Sequence, residues 1–132
     1  MRKTLIVDDI PEYVDTMEAY LEDRFDVLTA QSLEEAKSLL KENQIDLAII
    51  DIRLNEEDPD NKEGLDLLKW LRERMPEAGV IVMSAYKEFD YAVEALNAGA
   101  DYFMRKPIDP DELNSVIDKI FSKDSNAKNE SE

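Results

Sequence analysis

The sequence predicts an α/β domain in which a central sheet of five parallel strands carries helices on both faces. Short apolar runs, such as the one at residues 47–50, are typical of strands that are buried on both sides. Stretches with helical periodicity separate these runs, so the strands are expected to be parallel and joined by right-handed crossovers. The length of 132 residues fits one domain.

Five predicted strands alternate with five predicted helices, which is the order of a doubly wound, flavodoxin-like (βα)5 sandwich. The strands are predicted at residues 4–7, 26–30, 45–50, 80–84 and 101–104. The helices are predicted at residues 11–24, from residue 33 onward, at 65–75, at 88–98 and from 110 to about 122. Residues 1–122 are therefore the predicted domain. Apolar periodicity is lost in residues 123–132, which are predicted to be a polar tail or the start of a linker.

Residues that favour helix ends support these boundaries. Pro11 and Pro110 suit a first helical turn, where a missing N–H is tolerated. Ser32 and Glu35 have the spacing of a capping box, and Gly99 follows a reasonable helix end. The expected buried faces are Val14, Met17, Ala19, Tyr20 and Leu21 in the first helix, Leu33, Ala36, Leu39 and Leu40 in the second, and Leu65, Leu67, Leu68 and Leu71 in the third.

Composition narrows the classes of function. The net charge of −16 opposes binding to nucleic-acid phosphates or acidic membrane surfaces. The chain has no cysteine and no histidine, so thiolate metal sites and the usual general base are excluded. No signal peptide or membrane-length apolar stretch is recognisable, and a soluble cytoplasmic protein is expected.

Charged side chains follow three of the apolar runs. Asp8 and Asp9 follow the first, Asp51 follows the third, and Lys106 follows the fifth. Ligands of open α/β sheets bind at the carboxyl ends of the strands, where these groups are expected to meet. Crowded carboxylates repel one another unless a cation lies between them, and Mg²⁺ prefers such oxygen ligands. The sequence therefore predicts a site for a divalent metal and a phosphoryl group.

Two of the polar residues at strand ends, Ser84 and Lys106, each allow a plainer interpretation. Ser84 can donate a hydrogen bond to a phosphate oxygen, or can simply begin a helix. Lys106 can neutralise a phosphoryl group, or can be a solvated surface lysine. The proline after Lys106 makes a cis peptide bond possible there.

Taken together, the motifs resemble the receiver domain of two-component response regulators, the chemotaxis regulators among them. The resemblance covers about residues 3–122. The matching motifs are Leu5-Ile6-Val7-Asp8-Asp9, the lone Asp51, Ser84-Ala85, Gly99-Ala100-Asp101-Tyr102-Phe103 and Lys106-Pro107. The resemblance implies the strand order 2-1-3-4-5.

The resemblance also implies a role for each matching residue. Asp51 would be the phosphoacceptor, and Lys106 would pair with the phosphoryl oxygens. Mg²⁺ would be bound by Asp9 directly, by Asp8 mainly through water and by the backbone carbonyl of Arg53, as well as by Asp51.

Two residues are implied to act as a switch. Ser84 would hydrogen-bond to the phosphoryl group once Asp51 is modified. Phe103 occupies the position of the family's aromatic switch residue, although an ordinary core aromatic is the plainer interpretation. Their movement would change the surface of the fourth helix, the fifth strand and the fifth helix.

The resemblance implies the partners as well. The phosphoryl donor would be the phosphohistidine of a histidine kinase or phosphotransfer protein, and the chain would be a phosphoacceptor rather than an enzyme. The signal would pass to a downstream protein or a fused output domain. A phosphorylation-dependent dimer stays open.

The loop after Asp51 departs from the family pattern. An acidic insertion between Asn55 and Glu63 delays the turn to Gly64. A tolerated surface insertion is the favoured interpretation, because longer loops cost little entropy. The alternative is that Glu56, Glu57 or Asp58 screens the site or contacts a partner. Arg53 and Tyr86 could control water access and hence the lifetime of the phosphoryl group, or could be plain surface residues.

Three other functions could use a domain of this fold. A phosphohydrolase of the haloacid-dehalogenase type needs a second aspartate two residues after the nucleophile, where this chain has Arg53. A flavodoxin-like cofactor binder needs a glycine-rich phosphate loop, and the chain has only three glycines. A receiver-like interaction module that is never phosphorylated remains the main alternative.

Overall fold

The computed structural model describes residues 1–55, 57–58, 60–85 and 89–130, with the backbone alone at 89–90 and 123–130. The strands are β1 Lys3–Val7, β2 Asp26–Ala30, β3 Leu47–Asp51, β4 Gly79–Ser84 and β5 Tyr102–Arg105. The helices are α1 Pro11–Leu21, α2 Leu33–Glu42, α3 Glu63–Arg74, α4 Phe89–Asn97 and α5 Pro110–Glu130. All strand pairs are parallel, in the order β2-β1-β3-β4-β5. The predicted fold class and strand order are confirmed.

The sheet is covered on both faces because successive strand residues point to opposite sides. Leu5 and Val7 of β1 lie in a core that α2, α3 and α4 cover. Ile6 lies in the opposite core, which α1 and α5 cover. In this doubly wound arrangement the helices cover the two faces of the sheet, and the carboxyl ends of the strands are available for a site.

The apolar faces were predicted well, with one error. All four leucines expected in α3 are buried, and in α2 Ala36 and Leu40 are buried. In α1, Val14, Met17 and Leu21 are buried, but Ala19 is exposed. Ala19 is two residues from Met17, so the helical rotation places it on the opposite side.

Several predicted element ends were wrong by a few residues. The helix α1 ends at Leu21, not at residue 24, because the N–H groups of Arg24 and Phe25 both turn back to the Leu21 carbonyl. The strand β3 begins at Leu47 because its pairing with β1 starts there. The predicted start of α4 at Glu88 lies outside the described residues.

The last helix continues to Glu130 and so passes its predicted end at Ser122. No proline or glycine interrupts residues 111–130, so nothing in the sequence stops the backbone hydrogen bonding of the helix when its apolar periodicity is lost. Among the described helices, none has the length and apolar composition needed to cross a membrane.

Candidate functional site

Strand register places the predicted site residues side by side. Val7 pairs with Ile50, so Asp8 and Asp51, which follow them, lie next to each other at the end of the sheet. Ser84 pairs with Arg105, and the backbone N–H of Lys106 donates to the Ser84 carbonyl at 2.9 Å. The geometry of a parallel sheet thus gathers residues that are up to a hundred positions apart in sequence.

Three carboxylates form one cluster at the carboxyl end of the sheet. Oxygen atoms of Asp8, Asp9 and Asp51 all lie within 4.8 Å of one another. Asp8 and Asp51 are buried, and Asp9 is partly buried. The backbone N–H of Ile10 donates to Asp8 Oδ1 at 3.0 Å, which fixes the orientation of that carboxylate.

The lysine is part of this cluster. Lys106 Nζ lies 2.5 Å from Asp8 Oδ2 and 3.1 Å from Asp51 Oδ2. Its side chain is only 2% exposed, so the interpretation as a solvated surface lysine is wrong. The peptide bond between Lys106 and Pro107 is cis, the isomer that the proline made possible.

The site holds more negative than positive charge. Three carboxylates against one ammonium leave a formal charge of −2, which is the charge of a site that one divalent cation balances. The pKa of Asp51 rises to about 7, because burial and, to a lesser degree, the charge of Asp8 raise it by more than Lys106 and a hydrogen bond from the Arg53 backbone lower it. Burial alone would lower the pKa of Lys106, but the charges of Asp51 and Asp8 raise it above its usual value.

The donor set fits Mg²⁺. All three candidate ligands offer carboxylate oxygens, which suit a small hard cation, and the chain has no histidine or cysteine to favour a softer metal. Arg53 lies two residues after Asp51, and its backbone N–H is directed at the Asp51 carboxylate. The role of the Arg53 carbonyl as a further ligand stays a prediction.

The two predicted switch residues are placed differently. Ser84 is buried at the end of β4. Phe103 is partly buried and packs against the core under α2, α3 and α4. Its packing agrees with the interpretation as a core aromatic, and movement of either residue stays a prediction.

Two residues near the site were not predicted. The Tyr13 ring on α1 faces Lys106, whose Nζ lies 4.1 Å from the ring centroid, at cation–π distance. Gly64, in the first turn of α3, lies so close to the site that a Cβ there would overlap the Asp51 carbonyl oxygen and lie 2.7 Å from Ile52 Cα. The isolated glycine after the acidic loop was a signal for close backbone approach that the sequence did contain.

The acidic loop is exposed where the structure describes it. Glu57 and Asp58 are both exposed, and the side chain of Asp58 accepts a hydrogen bond from the nearby Asp60 N–H. Screening of the site or contact with a partner stays a prediction for them. Glu56, a further candidate for screening or partner contact, and Tyr86, a candidate for control of phosphoryl lifetime, lie outside the described residues.

Comparison with known proteins identifies the family. A family model described as response regulator receiver domain matches residues 4–118. The chain is 37% identical over 117 residues to the response regulator protein PilR of Pseudomonas aeruginosa, an alignment that covers 88% of this chain and 25% of PilR. It is 32% identical to the photosynthetic apparatus regulatory protein RegA of Cereibacter sphaeroides, with 88% of this chain and 61% of RegA covered. The chain thus spans less than two thirds of the length of these curated relatives.

A solved structure agrees with the family match. The CheY-like response regulator receiver domain protein of Methanospirillum hungatei superposes with a TM-score of 0.83 at 29% identity, over 96% of this chain and 98% of that one. The family model and the shared architecture agree along nearly the whole described chain. The chain therefore belongs to the response regulator receiver domain family of two-component systems.

Proposed function

We propose that Asp51 accepts a phosphoryl group from the phosphohistidine of a histidine kinase or of a phosphotransfer protein. One observation carries the proposal. The buried Asp51 carboxylate lies 3.1 Å from the buried Lys106 ammonium and within 4.8 Å of two further carboxylates that suit Mg²⁺. Three carboxylates and one fixed ammonium, which suit a phosphoacceptor beside Mg²⁺, thus lie together at the carboxyl end of the sheet.

The chemistry needs positioning and charge neutralisation more than proton transfer. An Asp51 oxygen attacks phosphorus in line with the P–N bond of the donor. That bond breaks, the histidine nitrogen keeps the electron pair and takes up a proton, and an acyl phosphate remains on Asp51. When bound, Mg²⁺ would be held by Asp8, Asp9, Asp51 and the Arg53 carbonyl, and would neutralise charge on the transferring group.

Lys106 is suited to a second part of this task. Its ammonium is held between Asp8 and Asp51 at 2.5 and 3.1 Å, so it needs little movement to contact a phosphoryl oxygen on Asp51. Because its side chain is buried, this charge interacts more strongly than it would in water. On phosphorylation, the Lys106 ammonium would therefore stay near its present position and exchange some of its carboxylate partners for phosphoryl oxygens.

The signalling step is proposed at the other side of the site. A phosphoryl group on Asp51 adds charge and strong acceptor oxygens next to Ser84, at the end of the adjacent strand. Ser84 would then bind the phosphoryl group and Phe103 would turn inward, which changes the surface of α4, β5 and α5. A downstream protein, a fused output domain or a second copy would recognise that surface.

The proposal describes a cytoplasmic phosphoacceptor that assists its own modification, and not an enzyme acting on a separate substrate. Similarity to PilR and RegA, both regulatory proteins, supports a place in a two-component pathway. The chain matches only part of each, and signalling through a partner or an output domain is part of the proposal.

The test is phosphorylation by a small-molecule donor. Wild type is incubated with acetyl phosphate or phosphoramidate, with Mg²⁺ or with EDTA, and the intact mass is measured. One phosphoryl group, sensitive to hydroxylamine and dependent on Mg²⁺, is expected on wild type and is expected to be absent from Asp51→Asn. Asp15→Asn, which alters an exposed residue of α1 by the same charge, should be modified like wild type. Wild type that gains no mass with either donor would instead favour the interaction module.

A further inference from the structure

One side chain of the acidic insertion ties the two ends of that loop together. Asn61 Oδ1 accepts the backbone N–H of Leu54 at 3.0 Å and the backbone N–H of Glu63 at 3.0 Å. Asn61 Nδ2 donates to Glu63 Oε1 at 2.7 Å. Asn61 is partly buried, so water competes only weakly for these hydrogen bonds.

The bond to Leu54 acts on a particular peptide group. The N–H of Leu54 and the carbonyl of Arg53 belong to the same peptide unit, and that unit is planar with its N–H and C=O on opposite sides. This peptide is not the cis one of the described chain. Holding the Leu54 N–H against Asn61 therefore fixes the direction of the Arg53 carbonyl, away from Asn61.

A second contact holds the other side of Arg53. Its backbone N–H donates to the Asp51 carboxylate. The next peptide, between Arg53 and Leu54, is held by Asn61. Both peptide groups that flank the Arg53 Cα thus have fixed partners, one in the carboxylate cluster and one in the insertion.

We propose that Asn61 is a positioning residue for the metal site, which orients the Arg53 carbonyl toward the cation through the Arg53–Leu54 peptide. The proposal rests on the proposed function, because it needs Mg²⁺ at the carboxylate cluster. It gives the insertion a role that differs from screening, since the exposed acidic residues take no part in it.

Other polar residues of the loop provide the contrast. Asn55 Oδ1 accepts the N–H of Glu57 at 3.1 Å, and both residues are exposed. That bond closes a local turn at the start of the loop and does not connect its two ends. Asn55→Ala is therefore a matched control that removes an asparagine hydrogen bond from the same loop without touching the peptide after Arg53.

The test measures Mg²⁺ affinity directly, by isothermal titration calorimetry on the full chain without phosphoryl donor. Loss of a group that orients a metal ligand typically weakens metal binding 10–100-fold. Asn61→Ala is expected to weaken Mg²⁺ binding about 10-fold, at the low end of that range, because one ligand among several is released. Asn61→Gln, which displaces the amide by one methylene, should weaken it similarly and is the second disrupting variant should Asn61→Ala fail to fold.

A double variant tests the hydrogen bonds themselves. In Asn61→Asp with Glu63→Gln, the carboxylate of residue 61 still accepts both backbone N–H groups, and the side-chain hydrogen bond is kept with donor and acceptor exchanged. The net charge is unchanged, because one carboxylate is added and one is removed. Mg²⁺ affinity within about three-fold of wild type is expected, as is that of Asn55→Ala, since the ligand orientation is kept.

Phosphorylation by acetyl phosphate provides a second readout. The rate for Asn61→Ala should fall at limiting Mg²⁺ and return to within about two-fold of wild type at saturating Mg²⁺, because only metal occupancy is altered. Equal Mg²⁺ affinity of wild type and the disrupting variants would overturn the role of Asn61, as would a folded double variant as weak as Asn61→Ala. Wild type without measurable Mg²⁺ binding would instead overturn the proposed function.

Discussion

Replacement of the phosphoacceptor by its neutral isostere, Asp51→Asn, should make the protein more stable in the absence of metal. The Asp51 carboxylate is buried beside Asp8, and its ordinary pKa of 3.8 rises to about 7. The folded protein thus disfavours the ionised form that function requires. Asparagine keeps nearly the same shape and an acceptor oxygen for Lys106, but it carries no charge.

The shift sets the size of the effect. A rise from 3.8 to about 7, at about 1.4 kcal/mol for each unit, means that ionised Asp51 costs the fold at most about 4 kcal/mol above pH 7. Relaxation around a buried charge reduces such a cost, and we expect a gain of about 2 kcal/mol or more for Asp51→Asn at pH 8.

The pH dependence follows from proton binding. Between pH 3.8 and about 7 the native state binds more protons at Asp51 than the unfolded chain does. The contribution of this group to wild-type stability therefore falls as pH rises through that window and is level above it. The advantage of Asp51→Asn should be largest above pH 7 and should shrink toward pH 4.

Urea unfolding in EDTA, at pH 8 and at pH 5, measures these differences. Asp15→Asn is the control, because it removes one exposed negative charge from α1 and should change the free energy of unfolding little at either pH. Saturating Mg²⁺ should narrow the gap at pH 8 by stabilising native wild type. An Asp51→Asn protein no more stable than wild type at pH 8, or with an advantage that does not shrink at pH 5, would refute the reasoning.

Three other substitutions test single features of the structure. Lys106→Met leaves the Asp8 and Asp51 carboxylates without their buried cation, so the free energy of unfolding in EDTA at pH 8 should fall by about 3 kcal/mol. Calorimetry should show tighter Mg²⁺ binding in the folded variant, and binding weaker than wild type would contradict the electrostatic account. Gly64→Ala should lower the free energy of unfolding, measured with urea, by about 3 kcal/mol, because the added Cβ would overlap the Asp51 carbonyl oxygen. An unchanged unfolding midpoint would show that α3 can move away freely. Arg72→Leu removes hydrogen bonds to the carbonyl oxygens of Gly99, Pro76 and Ala78, and should cost about 2 kcal/mol in thermal unfolding. If Arg72→Leu lowered the stability no more than replacement of an exposed arginine does, these hydrogen bonds would not stabilise the fold as expected.

The sequence by itself determined the fold class, the strand order through the family resemblance, and the grouping of the charged residues at the strand ends. Alternation of apolar runs with stretches of helical periodicity is a local pattern, so it can be recognised without knowledge of any tertiary contact. The same holds for the charged residues after the strands, because a parallel sheet sends every carboxyl end to one edge. Asp8, Asp51 and Lys106 could therefore be grouped before any distance was known.

The ends of helices and strands were predicted less accurately, because they depend on competition between local and tertiary hydrogen bonds. The helix α1 stops at Leu21 where two N–H groups turn back to one carbonyl, which no residue type in that stretch requires. Conversely, α5 continues to Glu130 although its apolar stripe is lost, because burial is not needed to extend a helix that is already formed.

Only the tertiary structure decided how the site groups relate to one another. It buried Lys106 between two carboxylates, which neither its charge nor its proline neighbour required. It set the Tyr13 ring over that ammonium and the start of α3 against the Asp51 backbone. It also joined Asn61 to the peptide after Arg53. Some of these contacts join elements that are distant in sequence and others join the two ends of one loop, but their geometry arises only when strands, helices and loop pack together.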